Sequence, residues 1–271
     1  MDSLKISAIC PTFRRPELLE EALQSFLMQD YAGEKELIIL NDEKEQAIKF
    51  DHPQVKIVNF KERSPSLADK YNYAASLATG DMITPWDDDD IFLPNRMRVI
   101  AENTIGGMWY SDYMYTDRTD GELAVSKGRV HTNSAFSARM FIQFGAYQEK
   151  PHRAFDFGMM RKLRMTRDGI GVPRNDNAIP SFIYRKCSIN VPHHSGLYNE
   201  DPKVQDEEFL QLTELTKTGD IQLSPHWDRD WIGMAGDALK RETVLLSDVD
   251  GSIKIQEGIE IGASTKPPEG D

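Results

Sequence analysis

Four successive aspartates, Asp87, Asp88, Asp89 and Asp90, lie between the apolar stretch Ile83-Thr84-Pro85-Trp86 and a second one, Ile91-Phe92-Leu93, closed by Pro94. Adjacent carboxylates repel, so the chain must give them solvent or a cation. A divalent ion would neutralise the cluster, and an oxygen-only ligand set suits a hard ion such as Mg2+ or Mn2+. Taken alone, an acidic run is more often a solvated loop. The calcium loop of an EF-hand does not fit, because Ile91 falls at a ligand position and no glycine follows. What the run can do therefore depends on what surrounds it.

The elements around it are readable from their periodicity. Lys5 to Cys10 is a short apolar run stopped by Pro11, the pattern of a buried strand. Pro16 opens a helix whose Leu19, Ala22, Leu23, Phe26 and Leu27 fall on one face, with Glu17, Glu20 and Glu21 in its first turns. Glu36 to Leu40 is a second strand, ending at Asn41-Asp42-Glu43, and Val55 to Phe60 is a third. Strand, helix and strand in that order imply a right-handed crossover and a parallel sheet with all carboxyl ends on one edge. Ligands of open α/β sheets bind at that edge. Asp42 is thus placed where a nucleotide could be read. A further helix starts near Ser66, with Asp69 completing an approximate capping box, carries Lys70 in its first turns and stops at Gly80. Asp81 to Trp86 is a fourth strand. The aspartate run then hangs from the same edge as Asp42, and that convergence points to a nucleotide–metal site.

Ile9-Cys10-Pro11-Thr12-Phe13-Arg14-Arg15-Pro16-Glu17-Leu18-Leu19, Leu40-Asn41-Asp42, the helix with Lys70 and Asn72, Ala78-Thr79-Gly80-Asp81 and Asp87 to Asp90 with Pro94 together resemble family-2 glycosyltransferases, in order and spacing, over roughly the first 100 residues. The resemblance continues more weakly to about residue 195. It implies the GT-A fold: a Rossmann-like, mainly parallel α/β sheet flanked by helices. It also implies a nucleotide pocket lined by Pro11, Thr12, Phe13 and Arg14, with Asp42 accepting a hydrogen bond from the base and Lys70 beside the nucleotide or its phosphates. Asp87 and Asp89 match the outer carboxylates of a DxD-like motif that holds Mn2+ or Mg2+ on the diphosphate of a nucleotide sugar, and Asp88 would reach the ribose or the metal. Two departures from the family pattern are Asn41, where a second aspartate is frequent, and Arg14, where asparagine is common.

The same resemblance assigns the middle of the chain to the acceptor. Gly107 to Tyr115 is aromatic-rich and reads as a strand, either core or a wall beside the sugar. Thr132 to Arg139 is similar to the segment before the family's catalytic acid. The Glu-Asp pair expected there is Phe155-Asp156, which leaves Asp156 as the candidate general base, with a helix N-cap as its alternative role. Ser181 to Lys186 reads as a strand carrying Arg185, a candidate phosphate partner through its forked donors. In a late loop His193 or His194 could reach the metal or the phosphates.

Composition bounds the rest. With 271 residues and a net charge of −12 the chain can bury a large core, and a broad nucleic-acid-binding face is disfavoured, although a nucleic-acid acceptor is not excluded. Two cysteines without ligand spacing, no signal pattern and no apolar run of about 20 residues imply a cytoplasmic protein without a membrane span. The expected organisation is a GT-A domain over 1–200, with a nucleotide-sugar half to 100 and an acceptor half beyond it. A helix-and-hairpin extension over 201–263 and a disordered tail over 264–271 follow. Thr243 to Ser252 imitates the Asp-x-Asp nucleophile of haloacid-dehalogenase-type phosphatases, but too little chain follows for that domain, and a hairpin into Ile253-Lys254-Ile255 is the reading. The function expected is transfer of a sugar, UDP-linked by preference, to a hydroxyl of a glycan or other acceptor, with inversion. The rivals are a nucleotidyltransferase and a non-catalytic, metal-dependent carbohydrate-binding protein.

Overall fold

The computed structural model describes residues 3–128, 130–148, 155–156, 158–162, 180–185, 207, 210 and 214–250, with side chains as far as 241. Its centre is a six-stranded sheet in the order β4-β2-β1-β5-β10-β7, formed by β1 (Ile6–Thr12), β2 (Lys35–Asn41), β4 (Val55–Asn59), β5 (Met82–Pro85), β7 (Met108–Tyr110) and β10 (Ser134–Ser137). The β4, β2, β1 and β5 strands are parallel neighbours, while β10 runs antiparallel to β5 and β7 antiparallel to β10. Successive residues alternate between two cores. Ile6, Ala8, Cys10, Leu37 and Ile39 pack with Leu19, Ala22, Leu23 and Phe26 of α1 (Pro16–Leu27). Ile9, Ile38 and Leu40 face Ala68, Tyr71, Ala74 and Ala75 of α2 (Leu67–Leu77). Helices on both faces explain why these strands read as continuous apolar runs. Ser66 caps α2, accepting from the Asp69 amide at 3.1 Å and donating to the Asp69 carboxylate at 2.8 Å.

A second sheet, β6-β11-β8-β9, stands beside the acidic turn; its strands are β6 (Ile91–Phe92), β8 (Tyr113–Asp117), β9 (Leu123–Lys127) and β11 (Phe182–Tyr184). The aromatic stretch 107–115, expected to be one strand, is divided between the two sheets. Asn133 makes the corner: its side-chain amide donates to the carbonyls of Ser111 at 2.9 Å and Tyr113 at 2.7 Å. The polar pair Ser111-Asp112, which sits at that corner between two aromatic runs, is the mark of the break in the sequence.

Between β2 and β4, β3 (Gln46–Lys49) pairs in parallel with β12 (Gly219–Gln222), which brings the late part of the chain onto the N-terminal half. The strand–turn expected over 243–252 is instead the end of α3 (Trp231–Asp250). Trp231, Ala235 and Ala238 bury a helical stripe against Tyr115, Leu123 and Ile183. Neither glycine nor proline interrupts the chain from Asp237 to Asp250, so helix propagates through Thr243-Val244-Leu245-Leu246. Within the extension expected over 201–263 to hold a helix and a hairpin, Glu207 and Leu210 are helical, and Leu210 packs on Phe13. Among the described residues no helix is long and apolar enough to cross a membrane. The tail over 264–271 lies outside the described residues.

Candidate active site

The acidic run is a turn between β5 and β6, held by its own apolar flanks. Trp86 and Phe92 stack on each other with ring centroids 3.8 Å apart, and the Trp86 indole donates to the Ala22 carbonyl at 2.9 Å. Closing the turn points its carboxylates in different directions. Asp88 is fully buried and accepts from Arg15 at 2.5 Å; the same guanidinium reaches Asp89 at 2.8 Å. Asp87 accepts from the Tyr71 hydroxyl and, at 2.5 Å, from Thr132 Oγ1. Asp90 accepts from the Arg185 amide at 3.1 Å. One carboxylate oxygen from each of Asp87, Asp89 and Asp90 lies within 4.8 Å of the others. Three convergent hard oxygens fit a divalent cation. Asp90 thus joins the two outer carboxylates expected from the sequence, while Asp88 is buried and bonded to Arg15.

Burial works against this concentration of charge. The Asp88 carboxyl is pushed up to about 6 by burial, against the pull of Arg15, and Asp90 is raised well above the usual range by burial and by its neighbours Asp89 and Asp87. Arg185, expected at a phosphate, is 2% exposed and lies beneath the turn. Its Nε donates to the Asp89 carbonyl at 2.6 Å, and its guanidinium pairs with Glu21. Glu21 in turn accepts from the Trp231 indole at 3.2 Å and the Asp228 amide at 3.4 Å. The C-terminal extension is therefore wired to the acidic turn through two buried charges. Glu21 lies in the first turns of α1, where an acid suits the helix dipole, and its burial comes from the extension folding over α1.

Asp42 is at the carboxyl end of β2, on the same edge. It accepts from Lys70 at 2.5 Å, Arg63 at 2.9 Å and the Ser64 amide at 3.1 Å, and Lys70 also donates to the Thr12 carbonyl at 2.5 Å. Burial raises the Asp42 carboxyl, but the charges of Lys70 and Arg63 outweigh it and the net shift is downward. Phe13 is buried, with the Arg63 guanidinium 3.6 Å and that of Arg14 4.9 Å from its ring centroid. Arg14 has φ of 58°, a left-handed conformation that asparagine adopts readily, and its side chain is held by Glu43 at 2.5 Å. Pro11 and Thr12 end β1 between these groups, as their order in the chain requires.

Asp156 lies across an aromatic cluster from the acidic turn. Tyr71, which binds Asp87, stacks on Phe155 at 5.3 Å and meets His131 edge-on at 5.2 Å. Nδ1 of His131 is 3.8 Å from Asp156 Oδ2, the separation of an ion pair rather than of a hydrogen bond. Burial raises the Asp156 carboxyl, with the His131 interaction opposing and the Asp87 charge adding. The Asp156 carbonyl accepts from the Met160 amide at 2.9 Å, so the residue also starts the helical turn over 158–162. His193 and His194 lie outside the described residues.

Arg15, Glu21, Tyr71, Arg63, His131 and Tyr147 were not singled out by the sequence pattern. Arg15 adjoins Arg14 and His131 adjoins Thr132 in the chain, but contact across 74 and 25 positions, to Asp89 and Asp156, has no local signal.

Residues 7–162 match the sequence family described as Glycosyl transferase family 2. Two relatives are a putative colanic acid biosynthesis glycosyl transferase, WcaA, of Escherichia coli (strain K12) and an uncharacterized glycosyltransferase, YwdF, of Bacillus subtilis (strain 168). The first is 28% identical over 150 residues, covering 51% of this chain and 52% of the relative. The second is 27% identical over 150 residues, covering 54% and 53%. The chain thus spans about half the length of the curated relatives it matches. Among solved structures, that of S. aureus TarS 1-349 in complex with UDP-GlcNAc is similar with a TM-score of 0.50 at 15% identity, covering 76% of this chain and 71% of that one. The likeness identifies the fold as GT-A.

Proposed function

The chain belongs to glycosyl transferase family 2, and from that premise we propose that it transfers a sugar from a nucleoside-diphosphate sugar, UDP-linked by preference, to an acceptor hydroxyl with inversion. The observation that carries this reading is the shared edge. Asp42, held ionised by Lys70 and Arg63, follows β2, and the carboxylates of Asp87, Asp89 and Asp90 follow β5, the two parallel strands that flank β1, and Asp156 stands across the Tyr71 cluster from them. UDP-GlcNAc in the TarS complex is a donor of this class.

The roles follow from charge and position. Asp42 accepts from the base, and the backbone of Pro11, Thr12 and Phe13 lines the pocket with Arg14 and Arg63 at its rim. Lys70, already on the Thr12 carbonyl, stands beside the phosphates. Asp87, Asp89 and Asp90 would hold Mg2+ or Mn2+, which would supply Lewis-acid stabilisation of the leaving diphosphate. Arg15 and Arg185 keep the turn in shape from within. Tyr71 and Thr132 fix the Asp87 carboxylate by two hydrogen bonds, so it does not reorganise during the reaction. Asp156 takes the proton of the acceptor hydroxyl; a carboxylate raised by burial is a stronger base than an exposed one. A single base facing the donor from the acceptor side gives inversion. The acceptor is a glycan or another hydroxyl-bearing molecule, and the reducing environment that suits the buried free thiol of Cys10 agrees with a cytoplasmic site.

Incubating the full chain with a panel of nucleotide sugars and Mn2+, followed by product analysis, tests the reading. Release of nucleoside diphosphate is the expected result. Pyrophosphate as product would assign a nucleotidyltransferase, and binding without turnover a carbohydrate-binding protein.

A further inference from the structure

Buried polar atoms in folded chains are almost always hydrogen-bonded, and an exception asks for a missing partner. Two exceptions stand side by side near Asp156. His131 is 8% exposed and Tyr147 is 4% exposed, with ring centroids 5.9 Å apart. Neither His131 Nε2 nor Tyr147 Oη has a hydrogen-bond partner among the described residues. Packing alone does not account for them, because a phenylalanine would fill the place of Tyr147 without leaving a hydroxyl dry. Both residues are held firmly. Tyr147 is clipped to α2 by two bonds between its backbone and the Asn72 side chain, each 2.9 Å, and His131 is wedged edge-on against Tyr71 and Phe155 at 5.2 Å. His131 thus faces the Asp156 carboxylate with Nδ1 and has Nε2 left over.

We infer that His131 Nε2 and Tyr147 Oη form a two-point seat for a hydroxyl of the acceptor, adjacent to the hydroxyl that Asp156 deprotonates. The acceptor is then a polyol with neighbouring hydroxyls, of the pyranoside class, and not an isolated alcohol. The inference rests on the reading of Asp156 as general base. A sugar hydroxyl both donates and accepts, so one group satisfies an imidazole nitrogen and a phenol together. An anionic ligand in the same place would meet the charges of Asp156 and Asp87, both of which act on Tyr147. Within this arrangement His131 is also a positioning residue for Asp156.

The test uses the full chain and two probes, methyl β-D-glucopyranoside and 1-propanol. A crystal structure with the glucoside should show one sugar hydroxyl bonded to both His131 Nε2 and Tyr147 Oη and its neighbour on Asp156. In NMR titrations, Tyr147→Phe keeps the ring and loses the hydroxyl, and His131→Asn keeps an amide nitrogen near Nδ1 and has nothing at Nε2. Each should weaken the glucoside roughly tenfold, the loss of one hydrogen bond to a neutral group at the upper end of its range. His131→Gln, which restores a nitrogen near Nε2, should recover most of that loss, which a merely structural role would not do. Propanol should not distinguish wild type from Tyr147→Phe. Equal glucoside binding by wild type, Tyr147→Phe and His131→Asn, binding elsewhere, or no binding at all overturns the inference. Nucleoside diphosphate release measured on the same samples separates the two readings: if release persists while the glucoside ignores the seat, only this inference fails.

Discussion

Arg15 reaches back from the turn after β1 to bond Asp88 at 2.5 Å and Asp89 at 2.8 Å, placing a buried guanidinium inside the acidic turn. Asp88 is 0% exposed, so Arg15 is its principal compensating charge. Arg15→Ala should therefore destabilise the protein by about 3–5 kcal/mol, the cost of leaving one partner of a buried ion pair. Chemical denaturation measures this. Arg15→Lys should recover only part of the loss, because one ammonium lacks the fork that serves two carboxylates. A denaturation midpoint for Arg15→Ala equal to wild type would show that the turn does not depend on this contact.

Asp42 makes a pH-dependent contribution whose sign is fixed by its partners. Its folded-state value is lowered, because Lys70 and Arg63 outweigh the effect of burial. The stabilisation is thus complete above its unfolded value, near pH 4, and is lost as pH falls through the lower folded value. Stability curves in acid should be steeper for wild type than for Asp42→Asn. The same substitution should weaken nucleotide binding, read by calorimetry. Parallel acid curves would remove Asp42 from the account of stability.

For Asp156 the shift is upward, caused first by burial. A general base must be ionised, so the acidic limb of the rate profile should lie above the ordinary aspartate value of about 3.9. Asp156→Asn should lower kcat by roughly 10²–10⁴-fold while leaving donor affinity unchanged. Full turnover by this variant would assign Asp156 to the start of its helix alone.

The C-terminal extension should matter for the site as well as for stability. Trp231 is 1% exposed and its indole bonds Glu21, which pairs with Arg185 under the turn. Trp231→Ala should destabilise by about 3–5 kcal/mol. Glu21→Gln, nearly isosteric, should weaken metal-dependent donor binding more than its effect on folding accounts for. Calorimetry of donor with Mn2+ at a temperature where both variants are fully folded reads this, and unchanged affinity would confine the extension to a structural role.

Much of this architecture was legible in the sequence because its signals are local. The strands ending at Thr12, Asn41 and Pro85 are apolar runs with clear stops, Ser66 and Asp69 form a cap within one turn, and the aspartate run is contiguous. Their common edge followed from the handedness of the crossover. What the sequence withheld is contact between distant positions. Nothing local to Glu21 marks it as the partner of Arg185, 164 residues away. Within four identical aspartates no pattern distinguishes the fully buried Asp88 from the three whose oxygens converge. The late run Thr243-Val244-Leu245-Leu246 has strand composition, yet it continues a helix already fixed by Trp231, Ala235 and Ala238 on β9.

The central claim is that the acidic turn handles the donor diphosphate through a divalent ion. Its most direct test is the Mn2+ dependence of nucleoside diphosphate release from the accepted nucleotide sugar, in wild type and in Asp89→Ala. In wild type, release should rise saturably with Mn2+ and be abolished by a chelator. Asp89→Ala, though folded, should give no metal-dependent release. Release that proceeds at the wild-type rate in chelator, or that Asp89→Ala retains in full, would contradict it.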